Sequence, residues 1–126
     1  MAGGTSRAGS YFLIADGRCS GRIAGRFRAA NHPVRREDGT FLADLQGVIE
    51  TDDGATIMLD MRGYGRSYPL GARQVLAAAT HVSDDSRYTY LNDSLLVGCG
   101  EARAASDDET ELVLDVSELI WEPIET

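Results

Sequence analysis

Residues 41–65, "FLADLQGVIETDDGATIMLDMRGYG", hold two runs that alternate apolar with polar residues, separated by Thr51-Asp52-Asp53-Gly54. A period of two marks half-buried strands, and an Asp-Gly pair between such runs marks a hairpin. The loop length sets the register. A two-residue loop of Asp53-Gly54 puts Glu50 opposite Ile57, Gln46 beside Met61 and Leu45 beside Arg62, so both faces mix apolar with charged groups. A three-residue loop of Asp52-Asp53-Gly54 puts Ile49 opposite Ile57, and the faces separate. One then carries Phe41, Ala43, Leu45, Gly47, Ile49, Ala55, Ile57, Leu59 and Met61. The other carries Leu42, Asp44, Gln46, Val48, Glu50, Thr56, Met58, Asp60, Arg62 and Tyr64. A slip by one residue turns every side chain to the other face, so burial selects the separated solution. It sets Asp44 opposite Arg62 and Gln46 opposite Asp60. Such a loop is a type I turn completed by a left-handed residue and a bulge, so Gly54 is expected at positive φ.

Similar segments flank this hairpin. "SYFLIADG" (10–17) reads as a strand ending in an Asp16-Gly17 turn, and "GRIAGRFRAA" (21–30) as a glycine-interrupted strand. "RYTYLNDSLLVGCG" (87–100) and "ELVLDVSELIW" (111–121) read as further strands. Acidic turn signals separate them at Glu37-Asp38-Gly39, Asp84-Asp85-Ser86 and Asp107-Asp108-Glu109. "GARQVLAAAT" (71–80) is rich in helix formers, and a helix there competes with a strand. A strand is preferred because regular hairpins require one. Residues 1–9 read as a flexible lead-in to one domain over 10–126. Many short strands joined by polar turns predict an all-β fold, a closed antiparallel β-barrel or a sandwich. A barrel also removes the exposed edges of its strands.

Composition narrows the partners. The chain has 126 residues and a net charge of −8, which opposes nucleic acid. Its apolar runs fall short of the roughly 20 residues a membrane helix needs, and no secretory signal opens it. Cys19 and Cys99 show no CxxC spacing and fit a reduced, cytoplasmic protein. No metal-ligand spacing, nucleophile motif or phosphate loop is present, so neither metal nor cofactor is expected.

"IETDDGATI" followed by "RYTYLNDSLLVGCG" resembles the small proteins grouped as domain of unknown function family 3237. Thr51, Asp52, Asp53, Gly54 and Ala55 match its first motif. Arg87, Tyr88, Leu91 and Asn92 match its second, with Tyr90 where tryptophan is usual, and Val97, Gly98 and Gly100 match its third. "GRIAGRF" (21–27) is similar to the family's glycine-rich entry segment, and Asp44 matches an aspartate of its acidic strand. Gln46 replaces a usual arginine, and "AANHPVRRED" (29–38) replaces a glycine-rich stretch ending in Asp-Trp. The resemblance implies an allene-oxide-cyclase-like barrel, often a homo-oligomer, of a type that hosts cyclases, isomerases and dirigent-like proteins. The family has no settled activity.

Two placements of the polar hairpin face compete. It can face solvent as paired charges, or it can line the barrel lumen with the apolar face covered by another subunit. The second predicts a cofactor-free isomerase, cyclase or lyase acting on an aromatic or unsaturated metabolite. Asp44, Glu50, Asp60 or His32 would then move protons, and Arg62 and Arg87 would hold an anionic or enolate oxygen. Tyr64, Tyr88, Tyr90 and Asn92 would wall or hydrogen-bond the substrate. A binding protein without chemistry and a structural oligomer with a filled lumen are the alternatives. His32 and His81 are the chain's two histidines.

Overall fold

The computed structural model describes residues 4–14, 17–32, 34–67, 73–104 and 110–125. Among the described residues, nine strands and one short 3-10 helix follow one another. They are β1 (Gly4–Ile14), β2 (Arg18–Gly21), β3 (Gly25–Asn31), β4 (Val34–Arg35), β5 (Phe41–Thr51), β6 (Thr56–Ser67), β7 (Arg73–Val82), the helix Thr89–Asp93, β8 (Leu95–Ala104) and β9 (Thr110–Trp121). All pairings are antiparallel, in the order β3-β2-β1-β9-β8-β7-β6-β5-β4. β3 also pairs with β5, from Gly25↔Thr51 to Asn31↔Leu45. The result is a curled, barrel-like antiparallel sheet.

The hairpin at its centre has the expected register. Ile49 faces Ile57, Asp44 faces Arg62 and Gln46 faces Asp60. The amide of Gly54 donates to the Thr51 carbonyl at 3.0 Å, and Gly54 has φ of 93°. A strand, not a helix, occupies the alanine-rich segment from Arg73 onward, because β7 is paired on both sides and only its alternate residues are sheltered. Residues 71 and 72 lie outside the described residues, as do Asp16 and the Asp107-Asp108-Glu109 turn.

Three expectations are corrected. β1 begins at Gly4, inside the stretch read as a lead-in, because its first residues pair with β9 as Gly4↔Trp121. "GRIAGRFRAA" belongs to two strands, since the chain reverses after Gly21 and pairs Cys19 with Gly25. "RYTYLND" is a turn and 3-10 helix, not a strand. The amides of Tyr88, Leu91 and Ser94 donate to carbonyls three residues back, and this spacing keeps them out of any ladder.

The concave face of the curl holds the core. Ile49 and Ile57 are fully buried, with Phe27, Leu45, Leu59, Met61, Leu96, Leu114 and Val116 around them. Cys19, Ile23, Tyr88 and Leu91 join the same cluster. The inward rows change character along the strands. Leu45↔Met61↔Ala79↔Leu96 is bulky. The next row, Ala43↔Gly63↔Ala77↔Gly98, and the one beyond it, Phe41↔Gly65↔Val75↔Gly100, are mostly small residues. Small side chains cannot fill the space between curled strands, so that end stays hollow.

Candidate functional site

The hollow end is a cavity of about 370 Å³. Phe27, Ala29, Ala43, Leu45, Met61, Val75, Ala77, Ala102, Leu112 and Leu114 line it, and Asn31, Phe41, Gly65 and Arg73 complete it. Its lining side chains are apolar apart from Asn31 and Arg73. Among the described residues no carboxylate or histidine lines it. The strand ends that frame it are those of β3, β5, β6, β7, β8 and β9 nearest Asn31, Phe41, Gly65, Arg73, Ala102 and Leu112.

The rim has a particular chemistry. The Arg73 guanidinium carbon lies 4.1 Å from the Phe41 ring centre, and that of Arg35 lies 4.8 Å from the same centre. Arg35 is opposite Phe41 in the β4–β5 ladder, which brings it to this ring.

The residues proposed from sequence as catalysts lie elsewhere. The polar face of the hairpin is the outer face, because the apolar face is the one buried; the lumen placement of Asp44, Glu50, Asp60 and Arg62 is therefore corrected. There Asp44 and Arg62 form an ion pair, and Glu50 and Asp60 have other partners. Arg62 Nε lies 3.7 Å from Asp44 Oδ1, and the Arg62 side chain is 75% exposed. Gln46 Nε2 donates to Asp44 Oδ1 at 2.8 Å and to Asp60 Oδ1 at 3.3 Å. Glu50 is paired with Arg28 of β3. Tyr64 is exposed on the same face, with the Arg36 guanidinium 6.0 Å from its ring centre. His32 is exposed between β3 and β4, where its amide donates to the Asp44 carbonyl at 2.8 Å.

The four residues expected to bind substrate from "RYTYLN" are also placed away from the cavity. They serve as a clasp at the other end of the curl. The Tyr88 hydroxyl donates to Asp53 Oδ2 at 2.8 Å. Arg87 Nη1 donates to the Asp53 carbonyl at 2.9 Å, while its Nε and Nη2 hold the Asp85 carboxylate. Asn92 accepts from the Ser83 amide at 2.8 Å and donates to the Ser83 carbonyl at 3.0 Å, as a backbone partner would. Tyr90 is exposed, with Arg22 5.0 Å from its ring centre. On the opposite side of the turn, Arg18 Nη2 reaches both Asp52 oxygens, at 2.8 and 2.6 Å. The Thr51 hydroxyl donates to Asp53 Oδ1 at 2.5 Å and accepts from the Ala55 amide at 2.7 Å.

Electrostatics agree with these roles. Hydrogen bonds from Thr51 and then Tyr88 hold the Asp53 carboxyl below its ordinary range. Burial pushes the Cys19 thiol up to about 12 and the His81 imidazole down to about 4. These shifts belong to the packed end. Among the described residues no group of three or more histidine, cysteine, aspartate or glutamate side chains is placed to hold a metal ion. No helix among them is long and apolar enough to cross a membrane.

Sequence reasoning missed the cavity lining, namely Ala29, Ala43, Gly65, Arg73 and Ala77. The signal was present. Once the register is fixed, the inward positions from 41 to 47 and 61 to 65 alternate with the charged ones, and several are glycine or alanine.

The fold recurs in solved structures from three organisms. A β-barrel-like protein from Acinetobacter baumannii AYE superposes with a TM-score of 0.69 at 18% identity, over 94% of this chain and 87% of that one. A conserved protein of unknown function from Rhodopseudomonas palustris gives 0.76 at 15% identity, over 95% and 99%. A protein of unknown function from Clostridium acetobutylicum ATCC 824 gives 0.69 at 16% identity, over 91% and 99%. No family model matches the sequence, and no curated protein matches it.

Proposed function

We propose that the sheet closes as an allene-oxide-cyclase-like barrel whose lumen binds a small, largely apolar metabolite with an aromatic or unsaturated body. The observation that carries this is the apolar cavity of about 370 Å³. Pockets for small ligands run from about 300 to 1,000 Å³ and are mostly apolar with a few placed polar groups. Supporting closure, β3 pairs with β5 while β1 pairs with β9. The chain is further proposed to be an outlying relative of family 3237, in which the Thr-Asp-Asp-Gly-Ala and Arg-Tyr-x-x-Leu-Asn motifs meet as a structural clasp.

Binding is preferred over the isomerase, cyclase or lyase activity expected from sequence. A proton-transfer catalyst must lie within hydrogen-bond reach of the reacting atom. Asp44, Glu50 and Asp60 are on the outer face, and Arg73 is the only titratable side chain among the described cavity lining. The cytoplasmic reading rests on free Cys19 and Cys99. Association with a second copy loses its original basis, since the apolar hairpin face is internal. It would fall instead to the outer row Leu42↔Tyr64↔Leu76↔Cys99.

The test is a fluorescence titration with phenylnaphthylamine, an uncharged aromatic probe. Saturable binding is expected, weakened about tenfold or more by Ala77→Phe or Ala43→Phe, whose rings would occupy the cavity in a cooperatively melting protein. Absent binding, or binding indifferent to both substitutions, overturns the proposal.

A further inference from the structure

We infer that Arg35 and Arg73 form an anion-selecting rim, so that the ligand of this cavity is a monoanionic amphiphile with an aromatic or unsaturated body. The inference rests on the reading of the cavity as a binding site. It starts from charge. The chain carries 12 basic and 20 acidic residues, so carboxylates outnumber their partners. Arg18, Arg28, Arg36, Arg62, Arg87 and Arg103 are each in an ion pair. Arg35 and Arg73 form none among the described residues; both guanidinium groups lean on the Phe41 ring instead. Two like charges on one ring repel each other, and the ring face offsets only part of that cost. An anion within reach of both offsets the repulsion and accepts charge-assisted hydrogen bonds from planar forks suited to carboxylate and sulfonate oxygens.

The placement ties this charge to the cavity. Phe41 and Arg73 both line it, as does Asn31, whose Oδ1 accepts from the Asp44 amide at 3.2 Å. Gly65 makes room for Arg73, since a Cβ there would stand 3.0 Å from Arg73 Cδ. A ligand whose body fills the Ala43–Ala77 region therefore brings its polar end to the two arginines. The floor offers no complementary cation among the described residues, which fixes the orientation as anion outward.

The test uses two probes with the same rings. Anilinonaphthalene sulfonate is phenylnaphthylamine with one sulfonate added. The expected result is about tenfold tighter binding of the sulfonate by the native protein. Arg35→Gln and Arg73→Gln should each weaken the sulfonate about fivefold or more, and each should weaken it more than it weakens the neutral probe. Arg73→Lys should retain part of the preference, and Arg66→Gln, outside the Phe41 stack, should retain all of it. Added salt should weaken the sulfonate alone. Equal affinity of the two probes, or arginine variants that weaken both alike, overturns the anion rim while the cavity reading stands. Neutral-probe binding that is absent, or unmoved by Ala77→Phe, overturns the cavity reading and the rim with it.

Discussion

The Tyr88 hydroxyl lies 2.8 and 3.0 Å from the two carboxylate oxygens of Asp53, joining residues 35 positions apart. This bond ties the loop before β8 to the turn between β5 and β6. Removing one partner of a charge-assisted bond leaves the other unsatisfied. Tyr88→Phe and Asp53→Asn should each lower the melting temperature by several degrees, and the double variant should lose less than the sum. The pH behaviour has a definite sign. The folded Asp53 carboxyl is held below its ordinary value of 3.8. Its contribution is therefore present above that value and is lost as pH falls through the folded one. Asp53→Asn should flatten the acid limb of the stability profile below about pH 4. Additive losses with an unchanged acid limb would dismiss the clasp.

Gly54 and Gly63 should respond differently to alanine. Gly54 has φ of 93°, and a Cβ added there would meet only open space, so backbone strain alone is at stake. Gly54→Ala should cost about 1 kcal/mol, and Gly54→Asn less, because asparagine tolerates the left-handed region. At Gly63 a Cβ would meet the Leu76 carbonyl oxygen at 2.0 Å, and backbone must move. Gly63→Ala should therefore be the more damaging in urea unfolding. The reverse order would refute the β6–β7 geometry.

His81 makes acid stability a second handle. Its folded pKa is depressed from 6.5 to about 4 by burial. The unfolded chain takes up the proton first. Stability is thus full above pH 6.5 and is lost as pH falls from there toward 4. Melting temperature should drop between about pH 7 and pH 5 in the native protein, and His81→Gln should weaken that dependence. An identical slope in the variant would show that other groups control this window.

Asp44→Asn and Arg62→Ala should leave phenylnaphthylamine affinity within about twofold. Both side chains are on the outer face, where their pairing is exposed and is worth little. A tenfold loss from either would return the site to the polar face.

The hairpin register was legible because only one loop length separates apolar from charged residues between Phe41 and Tyr64. The strand at Arg73–Val82 was legible from its place between hairpins, against its own helix-forming composition. What could not be read was which face turns inward. Sequence gives the alternation, but curvature arises from strand twist and from contacts such as Gly25↔Thr51, which pair residues distant in the chain. "RYTYLN" misled for a related reason: its alternation looks like a strand, yet Tyr88 and Asn92 face partners at Asp53 and Ser83 that only the fold supplies. The Arg35–Phe41–Arg73 rim likewise joins three strands.

The chain has only three methionines, so their methyl resonances give a direct reading of which face binds. Met61 lines the cavity, while Met58, three residues earlier, is exposed on the outer face. On titrating phenylnaphthylamine into methyl-labelled protein, the Met61 signal should shift and saturate with the fluorescence while the Met58 signal stays in place. A shift at Met58 with Met61 unmoved would contradict an inward-facing binding site.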